Sequence, residues 1–233
     1  MTIDKSAGRV RRMFAQIAGR YDLLNLLLSF GIDQSWRRRV VKLVPPVGDG
    51  PILDVCCGTA DLTLAYRRRS PRRIMIVGAD FCRPMLVIGK RKSRRAERIE
   101  LLEADALQLP FRNDSFQIVC VAFGLRNLSD TEAGLREMVR VCRPAGRVAV
   151  LEFSMPTLLP IRLLYGWYFH RLLPWVGQSL ARNTQEAYNY LPATVESFPQ
   201  GEAMAGLFRQ AGLCDVAYHR FTFGIATLYE GRK

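Results

Sequence analysis

The chain has 233 residues, 49% hydrophobic and 24% charged, which suits a globular α/β domain and excludes a disordered or fibrous class. Its 34 Lys and Arg against 21 Asp and Glu leave a net charge of +13. That excess favours an anionic partner, such as nucleic acid or an acidic membrane surface, or else marks a solvated basic face. No RNA-binding signature accompanies the basic clusters, so no nucleic-acid partner is expected. No apolar run escapes interruption by Arg, Pro or Gly, so none spans a bilayer. The N-terminus lacks the apolar core of a signal peptide. None of the six cysteines forms a C-x-x-C pair, which reads as a reducing, cytoplasmic setting. His170 and His219 have no Cys or carboxylate at ligand spacing, so no metal is expected.

In chain order, Val10, Met13, Phe14, Ile17, Tyr21 and Leu24 recur at spacings of three and four, predicting an amphipathic helix within 9–30 that stops at Gly31. A second helix starts near Asp33 and ends at Pro45-Pro46. Residues 1–50 are too long for a connector and predict a helical cap, over a ligand crevice or along the flank of a sheet.

A βα alternation follows: strand 51–56, helix 60–69, strand 74–80, helix 83–92, strands 99–103 and 116–122, helix 130–142, strand 146–153. The turn Pro144-Ala145-Gly146 precedes the last of these. Residues 51–154 thus form a Rossmann-like core. Residues 155–199 interrupt the rhythm; within them 155–182 is rich in Leu, Tyr and Trp, broken by Pro160 and Pro174. That stretch suits a lid over an apolar substrate, a homodimer face, an interfacial membrane contact or the cover of a sheet edge. Residues 200–233 predict a helix to Gly212 and an antiparallel hairpin, 213–220 with 223–230.

The first strand ends in Asp54-Val55-Cys56-Cys57-Gly58-Thr59-Ala60-Asp61. A strand, a glycine turn and a helix start make a ligand crevice at the carboxyl edge of a parallel sheet. One glycine stands where G-x-G-x-x-G has three, which argues against a pyrophosphate and for a nucleoside-type ligand. Asp80, ending the second strand, is placed to accept from ribose hydroxyls or to cap the next helix. Asp105, with Ala106, could receive an adenine amino group.

Arg20-Tyr21-Asp22-Leu23-Leu24-Asn25, Leu53-Asp54-Val55 with Cys57-Gly58-Thr59, Ala104-Asp105-Ala106, Phe123-Gly124-Leu125-Arg126-Asn127, Leu151-Glu152-Phe153-Ser154 and Tyr190-Leu191-Pro192 carry a specific likeness along nearly the whole chain. On these motifs the sequence resembles the S-adenosylmethionine-dependent menaquinone/ubiquinone biosynthesis C-methyltransferase family. The resemblance implies a single class I methyltransferase domain over 1–233, α/β and Rossmann-like. Its mostly parallel seven-stranded sheet would carry the antiparallel C-terminal hairpin. It implies S-adenosyl-L-methionine bound at Asp54, Gly58, Thr59, Asp80, Asp105 and Ala106, and a polyprenyl quinol methylated on a ring carbon. Arg126 would stabilise the developing phenolate, Asn127 and Tyr21 would orient the hydroxyl, and Asp22 is the alternative base. For Arg126 a salt bridge that pins the cap is the competing role. The basic surface would hold the enzyme peripherally at the inner face of an anionic membrane. A methyltransferase acting on another small molecule, or a non-catalytic scaffold, are the competing functions. Ala60 and Ala145 stand where the family has glycine, which would cost energy if either requires a positive φ.

Overall fold

The computed structural model describes residues 4–167 and 185–233. At its centre β1 (Ile52–Val55) pairs in parallel with β2 (Ile76–Asp80) on one side and β4 (Phe116–Ala122) on the other, with Ile52 opposite both Ile76 and Ile118. β3 (Ile99–Glu103) extends the sheet beyond β2, and β5 (Cys142–Phe153) beyond β4. The hairpin β6 (Cys214–Phe221) and β7 (Ala226–Arg232) joins antiparallel to β5, giving the order β3-β2-β1-β4-β5-β7-β6. This is the expected seven-stranded sheet. The order reverses between β1 and β4, so their carboxyl ends part to open a crevice.

Alternation along the strands feeds two apolar layers. Leu53, Val55, Val119 and Val150 pack against Leu135 and Met138 of α6 (Thr131–Val141) and Phe208 of α9 (Glu202–Gln210). Ile52, Ile76, Ile118 and Leu151 pack against Trp36 and Val40 of α3 (Ile32–Leu43), and against Leu62 and Tyr66 of α4 (Asp61–Arg69). Helix α5 (Arg83–Ser93) covers the β2–β3 edge. The Arg run that closes α4 follows the local logic of a helix C-terminus: Arg67 donates to the carbonyls of Ser70 and Ile74 at 2.9 and 2.6 Å.

Two elements differ from expectation. The helix predicted within 9–30 is two, α1 (Ala7–Ile17) and α2 (Tyr21–Ser29), separated by a 3₁₀ turn at Ala18–Arg20. Gly19 lies at the break, and glycine gives up more backbone freedom in a helix than any other residue. α2 ends as expected: Gly31 takes φ 74° and its N–H donates to the Leu26 carbonyl. The strand predicted at 146–153 starts at Cys142. Phe116 pairs with Cys142 but Ile118 with Arg147, so the Pro144-Ala145-Gly146 turn survives as a bulge within β5. Of the interrupting segment, α7 (Leu159–Trp167) and α8 (Gln185–Ser197) are described, and 168–184 lie outside the described residues.

Both alanines at family glycine positions adopt left-handed backbone, φ 68° at Ala60 and 58° at Ala145. The Ala60 methyl faces α5, where a Cβ on Gly89 would meet it at 3.3 Å, and Ala60 is fully buried. Relieving the backbone strain would gain about 1–2 kcal/mol. Losing the buried methyl and freeing the unfolded chain would cost about as much. Ala60→Gly should therefore leave stability within about 1 kcal/mol, whereas Ala60→Val, with a branched Cβ in left-handed backbone, should lose more than about 2 kcal/mol. Denaturant midpoints of the two variants check this.

Asp54 lies inside the sheet layer, 1% exposed, accepting from Thr63 Oγ1 of α4 at 2.6 Å. Burial pushes its carboxyl up to about 7. The unfolded chain releases this proton near pH 3.9 while the folded chain keeps it, so stability from this group falls as pH rises towards 7. The stability of the wild type relative to Asp54→Asn should accordingly decline between about pH 4 and about pH 7 in thermal melts. Parallel curves would show that Asp54 is ionised in the fold.

Candidate active site

The crevice at the parting of β1 and β4 is built on strained backbone. Cys56, just past β1, has φ 51°, and Phe123, just past β4, has φ 61°. Gly124 lets the two ends meet: a Cβ there would come within 2.4 Å of the Cys56 Cβ. Gly58 takes φ 54°, and a Cβ on it would meet nothing within 4 Å, so its backbone faces open space. The Gly58 N–H donates to Asp80 Oδ2 at 2.8 Å, and the Cys82 N–H donates to Asp80 Oδ1 at 2.8 Å. Asp80 thereby ties the β1 turn to the start of α5. Burial pushes its pKa up, against the pull of these two donors. Asp105, after β3, accepts from the Leu107 N–H at 2.9 Å.

Gly58, Asp80, Asp105 and Ala106 meet on one wall of a narrow crevice of about 80 Å³. Across it lie Lys5, Phe14 and Tyr21 of the cap. Arg11 holds α1 there, donating to the Phe81 carbonyl at 2.7 Å and to Glu103 at 2.6 Å. Two carboxylates facing one lysine disfavour a pyrophosphate. They suit a ribose diol and a sulfonium, so the residues present fit S-adenosylmethionine.

The other two expected cofactor residues do not reach this wall. Asp54 is sealed beneath it. Thr59 is turned towards the cap, where its hydroxyl donates to Asp22 Oδ1 at 2.5 Å. Lys92 of α5 completes that cluster, donating to Asp22 at 2.8 Å and to Asp61 at 2.5 Å. Asp22 therefore ties α2 to α4 and α5 and lines neither cavity. Lys92 belongs to the basic run at the end of α5, where its sequence context points only to the helix dipole.

A second cavity of about 440 Å³ lies under α1, α2, α3, α7 and α8. Its walls are largely apolar: Met13, Ile17, Leu24, Trp36, Phe153 and Ile161 among others. Phe14, Tyr21, Phe123 and Asn127 line both cavities, so the two meet there. At this junction Arg126 is 7% exposed. It donates to Glu152 Oε2 at 2.7 Å and to the Phe123 carbonyl at 2.6 Å, and its guanidinium lies 5.3 Å from the Phe153 ring centre. Its backbone N–H also donates to Glu152, at 3.1 Å. Glu152 is fully buried at the end of β5. The ion pair thus fastens the turn after β4 to the sheet, not to the cap. Asn127 donates to the Phe123 carbonyl at 3.3 Å. Burial pushes the Tyr21 phenol up; a bond from Asn25 and the charges of Arg37 and Arg126 pull it back.

The structure therefore brings Tyr21, Arg126 and Asn127 together and sets Asp22 apart. It adds Glu152, Lys5, Phe123 and Tyr190, to which the sequence analysis assigned no role. For Glu152 a signal existed: an acidic residue ends a strand that is otherwise apolar from Val148 to Leu151. Among the described residues no group of His, Cys, Asp and Glu gathers as metal ligands.

The pattern of the ubiE/COQ5 methyltransferase family matches residues 1–233. A demethylmenaquinone methyltransferase of Thermus thermophilus is 47% identical over 95% of this chain and 100% of its own. The ubiquinone/menaquinone biosynthesis C-methyltransferase UbiE of Geobacter sulfurreducens is 43% identical over 97% of this chain and 88% of its own. Among solved structures, a SAM-dependent methyltransferase of Thermotoga maritima superposes with TM-score 0.67 at 16% identity, covering 95% of this chain and 99% of that one. That last likeness shows the class I methyltransferase fold. The chain belongs to the ubiE/COQ5 methyltransferase family, and it is an S-adenosylmethionine-dependent C-methyltransferase of quinone biosynthesis.

Proposed function

We propose that the acceptor is the reduced ring of a polyprenyl quinone precursor, a demethylmenaquinol or its benzoquinol counterpart. The observation that carries this reading is the junction itself. A carboxylate-lined crevice and a large apolar cavity share one wall, and the polar groups of the apolar cavity include those at that wall. A prenyl tail fits the apolar cavity and a nucleoside fits the crevice.

S-adenosylmethionine, held by Gly58, Asp80, Asp105 and Ala106, would supply the methyl group as a cation on an excellent leaving group. The chain then has to orient the ring, exclude water and stabilise negative charge on the ring oxygen. Apolar walls exclude water. Asn127 and Tyr21 orient the hydroxyl at the junction. Arg126 stabilises the phenolate-like oxygen that makes the ring carbon nucleophilic. Glu152 already neutralises Arg126, so the guanidinium acts as an aimed donor more than as a free charge. The balance is one methyl gained by carbon and one proton released to solvent. Asp22, bound by Lys92 and Thr59, serves as a cap anchor in this reading.

Arg126→Ala alone would strand the Glu152 carboxylate in the core and cost about 3–5 kcal/mol. The pair Arg126→Gln with Glu152→Gln avoids that charge. It should fold, bind S-adenosylhomocysteine within about threefold of wild type, and lose roughly 100-fold or more in turnover. Wild-type turnover in this variant would assign the ion pair to folding only.

The same reading places the protein in the cytoplasm against the inner face of an anionic membrane. No helix among the described residues is long and apolar enough to cross a membrane. Exposed apolar side chains instead include Phe30, just past α2 and 81% exposed, and Trp167 of α7, both of which line the large cavity, with Leu26 of α2 and Leu159 and Leu163 of α7 also exposed. With the +13 charge these favour a peripheral contact. Sedimentation with anionic liposomes should weaken as salt rises, and the double change Phe30→Asp with Leu163→Asp should weaken it by roughly tenfold or more. Equal partition onto neutral and anionic vesicles would count against the electrostatic part.

A further inference from the structure

Three polar atoms of residues that line the large cavity are buried with no hydrogen-bond partner: Arg126 Nε, Asn127 Oδ1 and Tyr190 Oη. Their residues are 7%, 9% and 7% exposed. Native interiors rarely leave such groups unpaired, and three in one cavity point to a ligand that completes them. Two of the atoms are unambiguous in kind. Arg126 Nε can only donate. The Asn127 amide is oriented by the Phe123 carbonyl, which can only accept, so Nδ2 faces that carbonyl at 3.3 Å and Oδ1 is left unpaired. Asn127 Oδ1 can only accept. Tyr190, on α8, can do either. Burial pushes its phenol pKa up, which keeps it protonated and able to donate.

The pattern is therefore one obligate donor, one obligate acceptor and one hydroxyl, all unpaired, on the lining of a largely apolar cavity. A ring hydroxyl matches it on a single oxygen: the O–H donates to Asn127 and the oxygen accepts from Arg126. A second ring oxygen is left for Tyr190. A quinone carbonyl accepts only. It would satisfy Arg126 and Tyr190 but would set its lone pairs against Asn127 Oδ1 and leave that buried acceptor unpaired.

We propose that Asn127 Oδ1 reads the oxidation state of the ring, admitting the dihydroxy form and rejecting the quinone, and that Tyr190 is a ring-oxygen contact of the same site. This inference rests on the quinol-ring reading above and deepens it. Its consequence is that oxidised rings with identical tails do not occupy the enzyme. Only the reduced ring is electron-rich enough to attack a methyl sulfonium, so the same amide that binds the hydroxyl keeps unproductive ligand out. Tyr190 is suited to its part because its ring packs with Val10 and Met13 of α1 while its hydroxyl remains unpaired.

Anaerobic calorimetry on the full chain saturated with S-adenosylhomocysteine tests this. The probes are a short-tailed 2-prenyl-1,4-naphthoquinol and the corresponding quinone. Wild type should bind the quinol roughly 10- to 100-fold more tightly than the quinone. Asn127→Leu should abolish that ratio by weakening the quinol and not the quinone. Tyr190→Phe should weaken the quinol about tenfold and raise its KM more than it lowers kcat, with S-adenosylhomocysteine affinity unchanged. Equal wild-type affinity for quinol and quinone overturns the reading of oxidation state, and this needs no variant. Unchanged quinol binding in Tyr190→Phe overturns the role of that residue. Failure of both rings to bind wild type overturns the quinol-ring function itself, and is thus distinct from failure of the discrimination.

Discussion

The Arg126–Glu152 ion pair is the constraint on which the site depends. It joins the end of β5 to the turn after β4, with Glu152 fully buried and Arg126 nearly so. Removing two charges from water costs several kcal/mol each, and their attraction only offsets that when the remaining hydrogen bonds are made. Glu152 makes them, accepting from the Arg126 side chain and from its backbone N–H. The Arg126 guanidinium also donates to the Phe123 carbonyl and leaves Nε unpaired. A well-packed apolar pair would serve folding as well. What the ion pair supplies is a donor of fixed direction beside Asn127, at the place where the two cavities meet.

Around that point the chain separates two chemistries. The crevice is walled by carboxylates at the ends of parallel strands, and the cavity by Trp, Phe, Leu and Ile of the cap and of α7. The separation follows from topology. Strand ends can present polar groups because the parallel ladder already satisfies their neighbours, whereas amphipathic helices have only apolar faces to turn inwards. Trp36, Phe123 and Phe153 pack together beside the ion pair, with Phe123 and Phe153 centred 4.3 Å apart and the Arg126 guanidinium 5.3 Å from the Phe153 ring centre.

The cap is fastened to the core at several separate points. Lys92 gathers Asp22, Thr59 and Asp61, Arg11 reaches Glu103 and the Phe81 carbonyl, and Trp36 donates to Thr222 at 2.8 Å. Several of these groups are partly exposed, so each contact is worth little alone. Together they hold Tyr21 and Phe14 over the crevice.

Much of this was legible in the residues themselves. Apolar runs of four to eight separated by helical periods set out the βα order, and a carboxylate at the end of each of the first three units marked the crevice edge. The missing glycines of a dinucleotide fingerprint turned the reading away from pyrophosphate. These are local patterns, and local pattern determines element type and which end of a strand is polar. Direction and pairing across the chain are different. Thr59 and Gly58 are neighbours, yet the left-handed turn sends one to the cap and the other to the crevice. Asp54 and Asp80 look alike at the ends of strands, yet packing seals one under α4 and leaves the other lining the crevice. Glu152 and Tyr190 acquire their roles only because β5 and α8 are brought against the turn at Leu125–Asn127. The sequence by itself determined the fold class, the cofactor edge and the family. Tertiary structure decided which polar groups are spent on holding the protein together and which are left unpaired, because hydrogen-bond satisfaction is settled by neighbours in space.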